Sequence, residues 1–188
     1  YHSVFFARKD SGINSLADLK GRSIAFQSTG STSAYIVPAS ALLDEGLQLE
    51  ILLTPMDRPT PDLVGYVFAR SELNIGAWVH NRLVDAGVFS SLDWNDARRL
   101  PPAFRHDLKI IHETPEYPRA LEMVRGDLDP KVETRLREVL LQAADDPSAR
   151  EAMNLFFRTT RFLPVNAESK RGLDRLREGA TRVREHVE

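Results

Sequence analysis

Apolar residues along this chain fall into short runs separated by polar, Gly-marked or Pro-marked breaks, and the spacing inside each run predicts its element. Residues 1–8 read as a buried strand through Val4-Phe5-Phe6-Ala7. Ser15-Leu16-Ala17-Asp18-Leu19-Lys20 makes a short capped helix that stops at Gly21. Arg22-Ser23-Ile24-Ala25-Phe26 reads as a second buried strand, and residues 32–45 carry helical spacing to a stop at Gly46. Leu49-Glu50-Ile51-Leu52-Leu53 is a further strand, followed by a turn punctuated by Pro55, Pro59 and Pro61. Asp62 to Arg70 suits a helix and Leu73 to Trp78 a strand. From Val79 to Phe104 short helical and loop signals are mixed, with Pro101-Pro102 near the end. Leu108-Lys109-Ile110-Ile111-His112 is another strand, closing at Thr114-Pro115.

The pattern changes from Asp129. Pro130 stands at a helix start, Leu136, Val139, Leu140 and Ala143 form an apolar stripe, and Asp145-Asp146-Pro147 ends it. A second helix covers 148–157 and a charged one about 167–186. Strands alternating with helices through the first part predict a parallel or mixed α/β sheet, with the helical tail packed outside it.

The 188 residues are 42% hydrophobic and 28% charged, enough for a real core. A net charge of −2 gives no basic field, so nucleic acid is not an expected partner. With no cysteine, disulfides, thiolate metal sites and a cysteine nucleophile are excluded. No apolar run approaches the length of a membrane span. The chain opens abruptly inside a strand-like run, as a fragment or a processed form would.

One stretch points to ligand chemistry. Gln27-Ser28-Thr29-Gly30-Ser31-Thr32-Ser33 follows a buried strand and opens an apolar helix. Free backbone N–H groups, small hydroxyls and the positive end of the helix dipole converge there, which suits an oxyanion. Ser31, Thr32 and Ser33 are the candidate contacts; the plain alternative is that one of them only caps the helix. A serine nucleophile is disfavoured. Gly30-Ser31-Thr32-Ser33-Ala34 lacks the second glycine of a nucleophile elbow, and neither a Rossmann nor a Walker A pattern occurs. His2, His106, His112 and His186 show no metal-ligand spacing, so neither a metal nor a cofactor is expected. Trp78 and Trp94 read as packing residues.

Several segments in order resemble the phosphate/phosphite/phosphonate substrate-binding proteins of ABC importers. Tyr1 to Ile13 is similar to that family's strand with its trailing Lys-Asp-Ser-x-Ile, and Ser15 to Gly21 to its "sl-DLkGk" helix. Ala25-Phe26 with Ser31-Thr32-Ser33-Ala34-Tyr35-Ile36-Val37-Pro38 resembles its "STSGy--P" anion loop. His112 to Pro118 looks like its return strand and turn, and Arg125-Gly126-Asp127-Leu128-Asp129-Pro130 like its "r-dLdp" entry to the C-terminal helices.

The resemblance implies a periplasmic-binding-protein type II-like α/β fold whose two lobes close on a ligand in the cleft. It implies one complete α/β lobe at 9–108 carrying the anion loop, with 1–8 and 109–188 as hinge strands, partial first lobe and C-terminal helices. Tyr1 stands where relatives place a cleft tyrosine, and Ala34 replaces a usual glycine, where a methyl is expected to crowd the ligand. Binders of aminoalkyl phosphonates hold the ammonium with acids; the corresponding places align with Asn81 and Ala120, so an uncharged-tail or inorganic oxyanion is expected. His80 and Arg119, next to them, are candidate positive contacts, and Asn74 replaces a frequent aspartate. The implied role is non-enzymatic: a periplasmic, optionally membrane-anchored solute-binding domain delivering to a membrane permease. The alternative is a ligand-sensing or degenerate domain with a membrane-anchored signalling partner, and a homodimer would cover surface left by a missing lobe.

Overall fold

The computed structural model describes residues 1–156 and 158–187. Residues Tyr1–Pro118 with Gly172–Glu188 form one compact unit and Arg119–Arg171 another. The first is built on six strands: β1 (Ser3–Arg8), β2 (Ser23–Phe26), β3 (Leu49–Ile51), β4 (Val64–Phe68), β5 (Ala86–Ser90) and β6 (Leu108–Glu113). Their order is β3-β4-β2-β5-β1-β6. Strands β3, β4, β2 and β5 are parallel neighbours, whereas β1 runs antiparallel to both β5 and β6. The sheet is therefore mixed, as expected from the alternating strand and helix patterns.

Helices α1 (Val37–Asp44), α2 (Glu72–His80), α3 (Ser91–Trp94) and α4 (Pro102–Asp107) connect the strands, and the later part of α7 (Ala167–His186) returns to the same unit. Alternation along β1 feeds two cores. Phe5 and Ala7 join Ile24, Phe26, Tyr35, Leu42, Tyr66 and Val183 of α7, while Val4 and Phe6 join Ala25, Ile75, Val79, Phe89 and Trp94. Both faces of the sheet are thus covered, and the central strands are apolar except at their ends, where Ser3, Ser23 and Ser90 stand. Gly87 of β5 allows the α2 contact, since a Cβ there would lie 2.5 Å from Cγ2 of Ile75. On the other face a Cβ at Gly179 of α7 would lie 2.8 Å from Oγ of Ser40 in α1, and Arg182 Nη2 donates to that same oxygen at 2.9 Å.

Two elements exchange places relative to the sequence expectation. Residues 62–70 hold strand β4 instead of a helix, and 73–78 lie in helix α2 instead of a strand. Val64-Gly65-Tyr66-Val67-Phe68 is β-branched and aromatic, and Ser71 then caps α2 by accepting from Asn74 N–H at 3.2 Å. Asn74 also donates its side-chain amide to the Ala69 carbonyl at 2.7 Å, closing the strand-to-helix turn. Strand β5 lies in the stretch whose signals were mixed, and the expected 15–20 helix is a single 3-10 turn at Ala17–Leu19.

In the second unit, Asp129 caps α5 (Pro130–Gln142) by accepting from Lys131 N–H at 2.8 Å, with Pro130 at its first position. Helix α6 spans Arg150–Leu155; of the expected 148–157 helix, Phe157 lies outside the described residues. No residue of α5 is buried: Leu136 and Val139 of the expected stripe are 44% and 49% exposed. Among the described residues no helix is long and apolar enough to cross a membrane.

Candidate functional site

Parallel strands bring the residues that follow them to one edge of the sheet. Gln27 to Ser33 follow β2, Arg70-Ser71 follow β4 and Ser91 follows β5. Because β1 is antiparallel, its first residues arrive at the same edge: Ser3 pairs with Ser90, the last residue of β5. Thr114, just past β6, gives its N–H to the Ser3 carbonyl at 3.0 Å and accepts from Ser3 N–H through Oγ1 at 3.0 Å. Tyr1, Ser3, Ser33, Thr114 and Tyr117 are drawn together although they come from three separate stretches of chain.

The loop enters α1 through a π-helical turn, Thr32–Ile36, where Ala34 departs from helical geometry at φ −117°, ψ 18°. Ser31 caps this turn, its Oγ accepting from Ala34 N–H at 3.2 Å and its carbonyl from Ile36 N–H at 3.0 Å. Gln27 N–H donates to the Ala34 carbonyl at 3.1 Å, and Arg70 N–H to the Gln27 carbonyl at 2.9 Å. Arg70 adopts a left-handed φ of 69° to make that bond. The loop is thus tied to its own helix and to the end of β4. Among the described residues nothing accepts the N–H groups of Thr32 or Ser33. Two adjacent donors therefore sit unused at a helix start, where the dipole favours negative charge.

Hydroxyl side chains gather beside Ser33. Tyr1 donates its phenolic O–H to Ser33 Oγ at 2.9 Å, and its ring meets that of Tyr117 edge-on at 5.3 Å. Tyr117 Oη lies 3.0 Å from Ser3 Oγ. Burial pushes the Tyr117 phenol's pKa up, so it stays protonated throughout the neutral range. Ser31 caps the helix and is also the neighbour of the free N–H groups. Ala34 does not crowd the cradle as the sequence suggested: it is 1% exposed and belongs to the core that holds Val4, Phe6 and Ala25.

Two of the residues proposed as contacts, His80 and Asn81, lie at the opposite edge. Helix α2 runs back across the sheet between two parallel strands, so His80 and Asn81, at its end, reach the edge opposite the loop. There the His80 ring stacks on Phe104 at 4.6 Å, Nδ1 stands 3.2 Å from the Asp107 carboxylate, and its carbonyl accepts from Arg8 Nη1 at 2.7 Å. Arg8 and Arg82 both bond Asp10 at this edge, and the Arg8 hydrogen bond foremost holds the Asp10 carboxyl at about 2. Exposed Asn81 gives its N–H to Ala77 and ends α2. Arg119 and Ala120 are exposed residues of the second unit. Trp94 packs against Phe6 at 5.4 Å, with the Arg105 guanidinium 5.2 Å above its ring.

The sequence alone does not single out Ser3, Ser90, Thr114 and Tyr117. A small polar residue at the end of a buried strand is the signal that marks Ser3 and Ser90, and it is weak until the strand pairing is known.

The family model for the phosphonate periplasmic substrate-binding protein of ABC transporters matches residues 1–169. XAC2383 from Xanthomonas citri, in a structure bound to ATP, is 48% identical with a TM-score of 0.92, over 100% of this chain and 68% of that one. The same protein bound to chloride gives 47% identity and a TM-score of 0.91, over 99% and 67%. PhnD1 from Prochlorococcus marinus (MIT 9301), in complex with methylphosphonate, shares the fold at 22% identity and a TM-score of 0.63, over 96% of this chain and 66% of that one. This chain therefore spans about two thirds of the length of these structures. With its mixed sheet of type II periplasmic binding proteins and a family match over 1–169, the chain belongs to the phosphonate-type periplasmic substrate-binding proteins of ABC transporters.

Proposed function

We propose that this chain binds a small oxyanion of the phosphonate, phosphite or phosphate type, as the solute-binding part of an ABC importer, without covalent chemistry. The observation that carries the reading is the pair of unaccepted N–H groups at Thr32 and Ser33, beside the Tyr1–Ser33 hydroxyl contact. Neutral donors converging on one point hold an oxyanion by hydrogen bonds strengthened by its charge, at a helix terminus of favourable polarity. Ser31, Thr32, Ser33 and Tyr1 are its contacts; His80 and Asn81, at the far edge, are not. Strands β1 and β6 serve as the hinge strands of the lobe at 9–108 in this reading. The ATP held by XAC2383, 48% identical, adds phosphate esters to the ligands worth testing.

Calorimetric titration with phosphate, phosphite, methylphosphonate, sulfate and ATP tests it, alongside Thr32→Pro. Ser31, the residue before, has extended φ −84° and ψ 115°, which proline tolerates in its predecessor, and proline suits a first helical position. The substitution deletes one donor N–H and is expected to weaken binding about tenfold while leaving the fold intact. An unmutated protein that responds to none of the anions overturns the reading.

A further inference from the structure

The turn after β4 sets an arginine against the cradle loop. Successive N–H groups of Ala69 and Arg70 donate to the carbonyls of Phe26 and Gln27, at 2.8 Å and 2.9 Å. Gln27 gives its own N–H to the carbonyl of Ala34 in the π-helical turn at 3.1 Å, so one residue separates Arg70 from that turn. On the other side, the Asn74 amide bonds the Ala69 carbonyl at 2.7 Å and Ser71 caps α2. The backbone at Arg70 is therefore held from both sides, and the base of its side chain is fixed beside the loop.

Three non-glycine residues have left-handed backbone among the described residues: Arg70 (φ 69°), Arg82 (φ 62°) and Arg158 (φ 56°). Glycine takes this conformation freely, whereas a Cβ makes it costly. Arg82 sets its guanidinium on Asp10 at 2.6 Å, and Arg158 closes the end of α6 by giving its N–H to the Asn154 carbonyl at 2.8 Å. Arg70 follows a strand instead, is exposed, and among the described residues nothing accepts from its guanidinium. Acids close to it in the chain or beside neighbouring strand ends are engaged: Glu72 with Arg99 at 3.1 Å, Asp93 with Ser90 and Arg99, and Glu113 with His2. A positive charge is thus kept without a counter-charge, next to a cradle whose donors are neutral. Strained backbone of this kind collects at ligand sites.

We propose that Arg70 reads the charge of the ligand: its guanidinium closes over the oxyanion held at Thr32 and Ser33 and favours a dianion of the phosphonate type over a monoanion of the same shape. The proposal rests on the oxyanion reading given above. N–H and hydroxyl donors fix where tetrahedral oxygens sit, but a phosphonate and a sulfonate offer them acceptors of the same geometry. A cation tells the two apart, because its attraction scales with ligand charge and strengthens where the ligand has displaced water. A guanidinium also presents parallel N–H groups to two oxygens at once, which an ammonium does not.

Calorimetry on the whole protein at about pH 9 compares methylphosphonate, doubly charged there, with singly charged methanesulfonate, while arginine and lysine keep their protons. Arg70→Gly suits the left-handed position, so thermal melts should show no loss of fold. Doubling the ligand charge doubles the interaction, so this variant is expected to weaken methylphosphonate about tenfold and methanesulfonate about threefold. Arg70→Lys keeps the charge and loses the fork, and should recover part of the methylphosphonate affinity. Arg70→Asn, also tolerated in left-handed backbone, serves if the glycine variant folds poorly. An uncharged variant that binds both anions as tightly as the unmutated protein overturns this proposal. So does an equal loss of both, which a merely structural role in the turn would give, and either result leaves the oxyanion reading standing. Failure of the unmutated protein to bind either anion removes both.

Discussion

Ala34 shows how one residue changes meaning once its surroundings are known. In the sequence its methyl group stands where a glycine would let backbone and ligand approach; in the fold that methyl fills core space beside Val4 and Phe6. Ala34→Gly should therefore cost about 1 kcal/mol of stability, from lost burial and a looser turn, without tightening anion binding. Chemical denaturation paired with anion titration checks both halves. Asp10 is a second residue whose role is structural. Its folded pKa of about 2 lies below the ordinary 3.8, so its contribution is fully present above pH 3.8 and is lost as pH falls towards 2. The stability difference between the protein and Asp10→Asn, followed by urea midpoint, should be constant near neutral pH and shrink only in that acid window. Both residues were plain in the sequence, yet neither their burial nor their partners could be read from it: Arg82, which bonds Asp10, is seventy-two positions away.

Elements were legible where their own residues settle the matter. Strands β1, β2 and β6 and helices α5 and α7 stand close to their sequence-based bounds. The exchange between β4 and α2 has a physical origin: with helices on both faces, a central strand loses the in–out alternation that separates a strand from a helix. What remained was the β-branched and aromatic content of Val64 to Phe68 and the cap at Ser71, the better guides here. The π-helical turn was invisible as such, because its geometry depends on Ser31 capping Ala34 and on Ala34 meeting Gln27. Close packing of α7 on α1 was equally hidden. Gly179→Ala would set a Cβ 2.8 Å from Ser40 Oγ and is expected to destabilise by about 1–3 kcal/mol. Ser40→Ala in the same chain removes the clashing oxygen and should restore part of that loss in thermal melts, although it also deprives Arg182 of an acceptor.

At the scale of the molecule the two units differ in kind. Tyr1–Pro118 with Gly172–Glu188 has two cores sandwiching a sheet, whereas α5 in Arg119–Arg171 buries none of its residues. Leu121, Met123, Leu155 and Leu163 of this second unit are exposed, the last two by 83% and 72%. A segment of this size whose described residues form no core, Met153 alone of their apolar side chains being buried, cannot offset its chain entropy. Residues 119–171 made alone should thus show little helix by circular dichroism in water; a cooperative melt would contradict this. The change in character at Asp129 was legible in the sequence but the exposure was not, since an apolar stripe looks the same whether or not anything covers it.

The edge-on pair of Tyr1 and Tyr117 has an optical consequence. Their phenols are hydrogen-bonded to Ser33 and Ser3, so an anion settling on Ser33 shifts the polarity and bonding that tyrosine ultraviolet absorption reads. Trp94, enclosed with Phe6 and Phe89, and Trp78, packed against the same core, both emit from outside that cluster, which leaves fluorescence a poor witness. Difference absorbance in the phenol band is the label-free signal this cradle carries within itself.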